Sequence, residues 1–139
     1  MNFENPSESE IAAFLKTVKA VAVVGFSPRP QRASNNLSRQ MQRFGLRIIP
    51  VRPGIAEGLG EKAYPDLLSV PDPVDVVDVF RAPAHVPAIV DECIACGFRA
   101  IWLQDGVINE EAAARAKAAG MTVIMDRCLM RDYTRLIAR

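Results

Sequence analysis

The sequence predicts an α/β domain, an open, doubly wound parallel sheet of five strands with helices on both faces. Five short apolar runs, Ala20–Val24, Arg47–Val51, 74–80, Ala100–Leu103 and Thr122–Met125, alternate with helix-like stretches. Each run is nearly continuous in its apolarity, as a parallel strand covered on both faces requires. Three of the runs follow the same junction, a helical stretch closed by Gly45, Gly97 or Gly120, where a helix end takes a left-handed residue. The 139 residues, 50% hydrophobic and 24% charged, suit one globular domain spanning 1–139.

The elements follow in order. Ser7-x-x-Glu10 reads as a capping box opening a short N-terminal helix. Residues 34–44 place Leu37, Met41 and Phe44 on one helical stripe, and residues 84–96 do the same with Val86, Ile89, Val90, Cys93 and Ile94. A turn or short helix is expected over 65–72. Asn109 caps the Ala-rich segment 110–119, which carries two acids in its first turn, and a last short helix is expected within 128–139. Right-handed crossovers make 3-2-1-4-5 the economical strand order. That order puts the ligand crevice between strands 1 and 4, at the loops after Gly25 and Leu103. It also puts strand 3 at an edge, where its Asp75 and Asp78 are tolerated.

Charge and sulfur narrow the function classes. The net charge of +1 suggests neither a nucleic-acid nor a membrane partner. No apolar run approaches the length needed to cross ~30 Å of hydrocarbon. The opening Met1-Asn2-Phe3-Glu4-Asn5-Pro6-Ser7 has neither the basic nor the apolar segment of a signal peptide. With three cysteines, an odd number, the expectation is a reducing, cytoplasmic setting. The basic residues are unevenly placed: residues 26–56 hold Arg29, Arg32, Arg39, Arg43, Arg47 and Arg52 and no acid. A solvated basic face is one reading of this segment; an anion site is the other.

The loop after the first strand favours the anion site. Gly25 is followed by Phe26-Ser27-Pro28-Arg29-Pro30-Gln31-Arg32-Ala33-Ser34, which opens a helix. A helix N-terminus with its free N–H groups attracts phosphate. Ser27 and Ser34 add hydroxyls, and Arg29 and Arg32 add charge. A dinucleotide fingerprint would carry further glycines here, and only the first is present. The second strand ends Val51-Arg52-Pro53, with an arginine where an NAD site has an acid for the ribose hydroxyls. An adenine nucleotide with an extra ribose phosphate, NADP or coenzyme A, fits this pattern, and the missing glycines weigh against NADP.

Gly25-x-Ser27-x-x-Pro30-x-Arg32-x-Ser34, Pro50-Val51-x-Pro53, Asp78-Val79-Phe80-Arg81, Trp102-x-Gln104-x-Gly106-Val107 and Met125-Asp126-Arg127-Cys128 occur in order. In these motifs the sequence resembles the small stand-alone CoA-binding proteins, which are similar to the N-terminal CoA-binding domain of the succinyl-CoA synthetase α-subunit. The likeness covers residues 11–136. It departs at Arg52, where the family pattern has Asn, and over 129–133. The resemblance implies a Rossmann-like fold and coenzyme A as ligand. It places Gly25, Ser27, Pro28, Arg29, Arg32 and Ser34 by the phosphates, and Val51, Arg52 and Pro53 by the ribose phosphate. Phe80, Arg81, Pro83 and Val86 would flank the adenine, and Gln104, Asp105 and Gly106 the pantetheine arm.

No catalytic set accompanies these residues. The single histidine, His85, stands alone in a first helical turn, and no Ser-His-Asp combination is present. Cys93-x-x-Cys96 closes a helix rather than opening one, which is the wrong end for a reactive thiolate, and zinc would need further ligands. Cys128 follows the fifth strand on the ligand side, in place for a mixed disulfide with the CoA thiol. The expected protein is therefore a CoA or acyl-CoA binding module with no catalytic centre or metal of its own, acting alone, as a homodimer or beside an enzyme of acyl-CoA metabolism. The alternatives are a small NADP-binding oxidoreductase domain and a subunit of an acyl-CoA ligase completed by another chain.

Overall fold

A computed structural model describes residues 3–138. Met1 and Asn2 of the opening segment, and Arg139 of the last expected helix, lie outside the described residues. The elements run α1 (Glu8–Leu15), β1 (Ala20–Val24), α2 (Ala33–Arg43), β2 (Arg47–Val51), β3 (Glu57–Gly58), β4 (Glu61–Lys62), β5 (Val76–Val79), α3 (Val86–Cys96), β6 (Ala100–Leu103), α4 (Glu110–Ala118), β7 (Thr122–Met125) and α5 (Leu129–Leu136). Short 3-10 turns occupy Leu67–Ser69 and Pro83–His85. Ser7 and Glu10 form the expected capping box, and the Asn109 side chain accepts from Ala112 N at 3.0 Å. Gly97 closes α3 in the left-handed conformation, φ 75°.

Five parallel strands form the main sheet in the order β2-β1-β5-β6-β7. The expected order is corrected here: the third long strand pairs with β1, not with β2. After β2 the chain forms the small antiparallel hairpin β3–β4, then touches the edge of β2 through the bridge between Val51 and Tyr64. It crosses under β1 by way of Leu67, which packs into the same core as Ala22 and Val24. That crossing leaves β2 at the edge, where Pro50 has no N–H to lose and its carbonyl accepts from Tyr64 N at 3.0 Å. At the opposite edge the Asn5 carboxamide pairs with Met125 N and O at 2.8 and 2.9 Å, closing the end of β7.

The edge placement of Asp75 and Asp78 is corrected with it, because β5 lies between β1 and β6. Asp75 stands before the strand, and its carboxylate accepts from Lys19 N and Ala20 N, both at 2.8 Å. Asp78 is wholly buried.

Alternate residues of each strand face opposite cores. On one face Val21, Val23, Val76, Trp102 and Ile124 pack against α1, α2 and α5. On the other Ala22, Val24, Val77, Ile101 and Val123 pack against α3 and α4. Build-out of the sheet reverses between β1 and β5, so the crevice opens between the loops that follow Val24 and Val79.

Candidate functional site

The turn out of β1 depends on Gly25. Its φ is +85°, and a Cβ there would overlap the Phe80 carbonyl oxygen and stand 2.8 Å from Cδ of Arg81. Only glycine lets the loops after β1 and β5 meet this closely. Phe26 then turns inward and is fully buried, its ring lying where a Cβ on Gly58 of the β3–β4 hairpin would come within 2.5 Å. The rest of the loop is tied down from α2. Ser27 N donates to Ser34 Oγ at 2.9 Å, Asn35 Nδ2 donates to the Ser27 carbonyl at 3.0 Å, and Arg39 donates to the Pro30 carbonyl at 2.8 Å. The Ser34 hydroxyl accepts one bond here and still has its proton to give.

The N-terminus of α2 is left open. Arg32 occupies the N-cap position without a side-chain cap, and the first turn holds no acid. Among the described residues, the N–H groups of Ala33 and Ser34 have no protein acceptor. Both residues line a cleft of about 440 Å³ with Gly25, Ser27, Arg29, Arg32, Arg52 and Phe80. Three guanidinium groups and no carboxylate border it. The Arg52 side chain reaches back over the loop, its Nη1 standing 3.5 Å from the Phe26 carbonyl.

A second cleft, of about 460 Å³, shares Gly25, Arg52 and Phe80 with the first and continues toward α3. Val51, Pro53, Pro65, Arg81 and Ile89 supply most of its remaining wall, with Asp66 and Glu92 the two acids on it. Pro65, Asp66, Ile89 and Glu92 were not singled out by the sequence as site residues. Ile89 and Glu92 share one face of α3, and their only sequence signal was the stripe that buries Ile89.

The remaining expected site residues stand elsewhere. Pro28 and Pro83 are exposed and border neither cleft, and Val86 is fully buried in the core under α3. Gln104 is buried between β5 and α5: its Nε2 donates to Asp78 Oδ2 at 3.4 Å, and its Oε1 accepts from Leu129 N at 3.2 Å. Asp105 pairs with Arg131 at 2.9 and 3.0 Å, which holds its carboxyl below the usual carboxylate range. Gly106 N donates to Asp126 Oδ1 at 2.8 Å. These three therefore join β6, β7 and α5 to one another, on the far side of β5 from the two clefts.

Among the described residues Asp78 Oδ1 has no hydrogen-bond partner, and burial pushes the carboxyl well above its ordinary range against the smaller, opposing effect of the Gln104 bond. A neutral acid is the form such a site favours. The thiols are raised as well. Cys93 is pushed up to about 12, chiefly by burial, and Cys128, at the N-cap of α5, is raised mainly by burial against the pull of the Arg131 and Met130 N–H groups. His85 is exposed on its 3-10 turn. Among the described residues no group of three or more His, Cys, Asp or Glu side chains gathers as a metal site would require, and no helix is long and apolar enough to cross a membrane.

A doubly wound sheet with an uncapped helix and three arginines at its switch point defines a Rossmann-like domain of nucleotide-binding type. Within that class the chain belongs to the CoA binding domain family, whose profile matches residues 19–134. It is 44% identical to YneT of Bacillus subtilis (strain 168) over 91% of this chain and 93% of that one. A hypothetical protein from Pyrococcus horikoshii OT3 shares the fold with a TM-score of 0.90 and 34% identity, over 99% of each chain. The ADP-forming acetate–CoA ligase I of Archaeoglobus fulgidus is 27% identical over 80% of this chain, which spans 18% of that enzyme's length.

Proposed function

We propose that the protein binds coenzyme A through the crevice between β1 and β5 and carries no catalytic centre of its own. The observation that carries this reading is the open N-terminus of α2. Two unpartnered N–H groups and three arginines line one cleft, and no acid competes with a phosphate there. Coenzyme A brings a pyrophosphate and a ribose phosphate, and the donors fit both. The pyrophosphate takes the N–H groups of Ala33 and Ser34 with Arg29 and Arg32, as a helix N-terminus favours. Arg52, at the end of β2 and shared by both clefts, takes the ribose phosphate, for which a planar guanidinium is well suited. The family membership supports the same ligand.

Most of the groups that general acid–base or nucleophilic chemistry would need are committed or remote, Glu92 on the α3 cleft excepted. His85 borders neither cleft, Asp105 and Asp126 are engaged between β6, β7 and α5, and the thiols are raised rather than activated. This supports a module that holds or presents CoA. A second reading, a CoA-binding subunit completed by a separate ligase chain, is favoured by the ligase relative, of which this chain matches only a part. Co-purification with a larger polypeptide from the native source distinguishes the two.

Parallel calorimetric titration with CoA, dephospho-CoA and NADPH tests the ligand. CoA binds, dephospho-CoA binds about 10-fold or more weakly through loss of one charged contact, and NADPH gives no heat. Arg52→Ala removes the difference between the first two. Preference for NADPH, or equal weakening of CoA and dephospho-CoA by Arg52→Ala, overturns this assignment.

A further inference from the structure

The two clefts share three residues but differ in charge. The cleft at α2 has three arginines and no acid, whereas the cleft at α3 sets Asp66 and Glu92 against Arg52 and Arg81. The excess of positive charge therefore directs phosphates to α2, while the α3 side offers acceptors to a group that donates hydrogen bonds. The two acids are not equivalent. Asp66 is engaged, its Oδ1 accepting from Ser69 N at 2.8 Å and Ser69 Oγ at 2.6 Å. Glu92 is half-buried, and among the described residues no hydrogen bond or ion pair engages its carboxylate. Around it the cleft is lined by the flat, apolar surfaces of Pro53, Pro65 and Ile89. A planar base with an amino group suits that combination: its faces lie on apolar surface and its edge gives a proton to a waiting carboxylate.

We propose that Glu92 is a specificity-determining residue that accepts a hydrogen bond from the exocyclic amino group of the ligand's purine. The proposal rests on the nucleotide reading of the same crevice and adds to it the residue that recognises the base. It also orients the ligand, phosphates at α2 and base at α3, with Gly25 and Phe80 beneath the sugar that joins them. Glu92 stands on the surface of α3, and alanine is a strong helix former, so Glu92→Ala retains the helix.

The test titrates wild type and Glu92→Ala with CoA, with adenosine 3′,5′-bisphosphate and with purine riboside 3′,5′-bisphosphate, which lacks the amino group. Circular dichroism confirms the fold of the variant. Wild type is expected to bind the adenosine compound about 10-fold more tightly than the desamino compound, the effect of one hydrogen bond to a charged group. Glu92→Ala is expected to lose that preference by weakening the adenosine compound and CoA while leaving the desamino compound unchanged. The same preference in both proteins, or none in wild type that still binds CoA, overturns the role of Glu92 and leaves the CoA reading standing. Failure of wild type to bind CoA and both bisphosphates overturns the two together.

Discussion

Helix α4 begins with Asn109, whose side-chain oxygen accepts from Ala112 N at 3.0 Å, and continues with Glu110 and Glu111 in its first turn. Helix α2 begins with Arg32, has no side-chain cap and has no acid in its first turn. Both follow a strand of the same parallel sheet, so both present their N-termini at its C-terminal edge. The chain satisfies the free N–H groups and positive end of α4 with its own atoms, by the means that ordinarily stabilise helices. At α2 it adds positive charge to a positive end. That choice costs helix stability and is sensible only where an anion from outside completes the cap. The difference between the two helices thus separates a self-capped N-terminus from the open one proposed as the phosphate seat, and it does so by chemistry visible in their first turns.

The largest effect is expected from Gly25→Ala, which removes the close approach that sets the loop into α2. Left-handed strain and the overlap with the Phe80 carbonyl together cost about 3 kcal/mol in a urea unfolding experiment. Next, Arg32→Asp gives α2 the cap that α4 already has. Stability is expected to rise by about 1 kcal/mol while CoA affinity falls about 100-fold or more, so the two measurements move in opposite directions. A variant that loses stability and affinity together would show that Arg32 acts as part of the loop and not as an anion contact. Smaller still, Asn109→Ala costs about 1 kcal/mol of stability and leaves CoA titration unchanged.

The last effect is set by pH. Asp78 lies under the same sheet edge, and its carboxyl is held above the usual range by burial. In the unfolded chain it ionises near pH 4. As pH rises beyond that value the unfolded state releases a proton that the folded state keeps, so stability from this group declines with pH until the folded value is reached. Asp78→Asn removes that slope. Unfolding free energies followed from pH 4 to 8 are expected to favour the variant increasingly toward the alkaline end, and parallel curves would contradict the assignment.

The strands and helix ends were legible because they depend on neighbours in sequence. Four of the five long strands have the bounds expected of them, and the fifth shortens from 74–80 to Val76–Val79. Their apolar runs are interrupted by turn residues on both sides. The order of the strands was not legible, because it is decided by the connection after β2, whose polar residues show no periodicity. Its hairpin and its crossing beneath β1 arise from long-range contacts, Gly58 on Phe26 and Leu67 on the strand core. One wrong neighbour moved the expected crevice to the end of β6. Gln104, Asp105 and Gly106, placed beside the pantetheine arm by the family resemblance, stand at that end of β6, where they bond to Asp78, Leu129, Arg131 and Asp126. The basic loop was legible because its chemistry is local. Glu92 was not, since a carboxylate on a helix shows its lack of a partner only once the surrounding surfaces are in place.

The measurement that tests the account most directly is an amide titration of the 15N-labelled protein with coenzyme A. The N–H resonances of Ala33 and Ser34 are expected to shift strongly as they gain a phosphate acceptor, while those of Glu110 and Glu111 at the capped helix stay in place. Binding of CoA that leaves Ala33 and Ser34 unmoved, or that moves the α4 amides instead, would contradict the assignment of α2 as the phosphate seat.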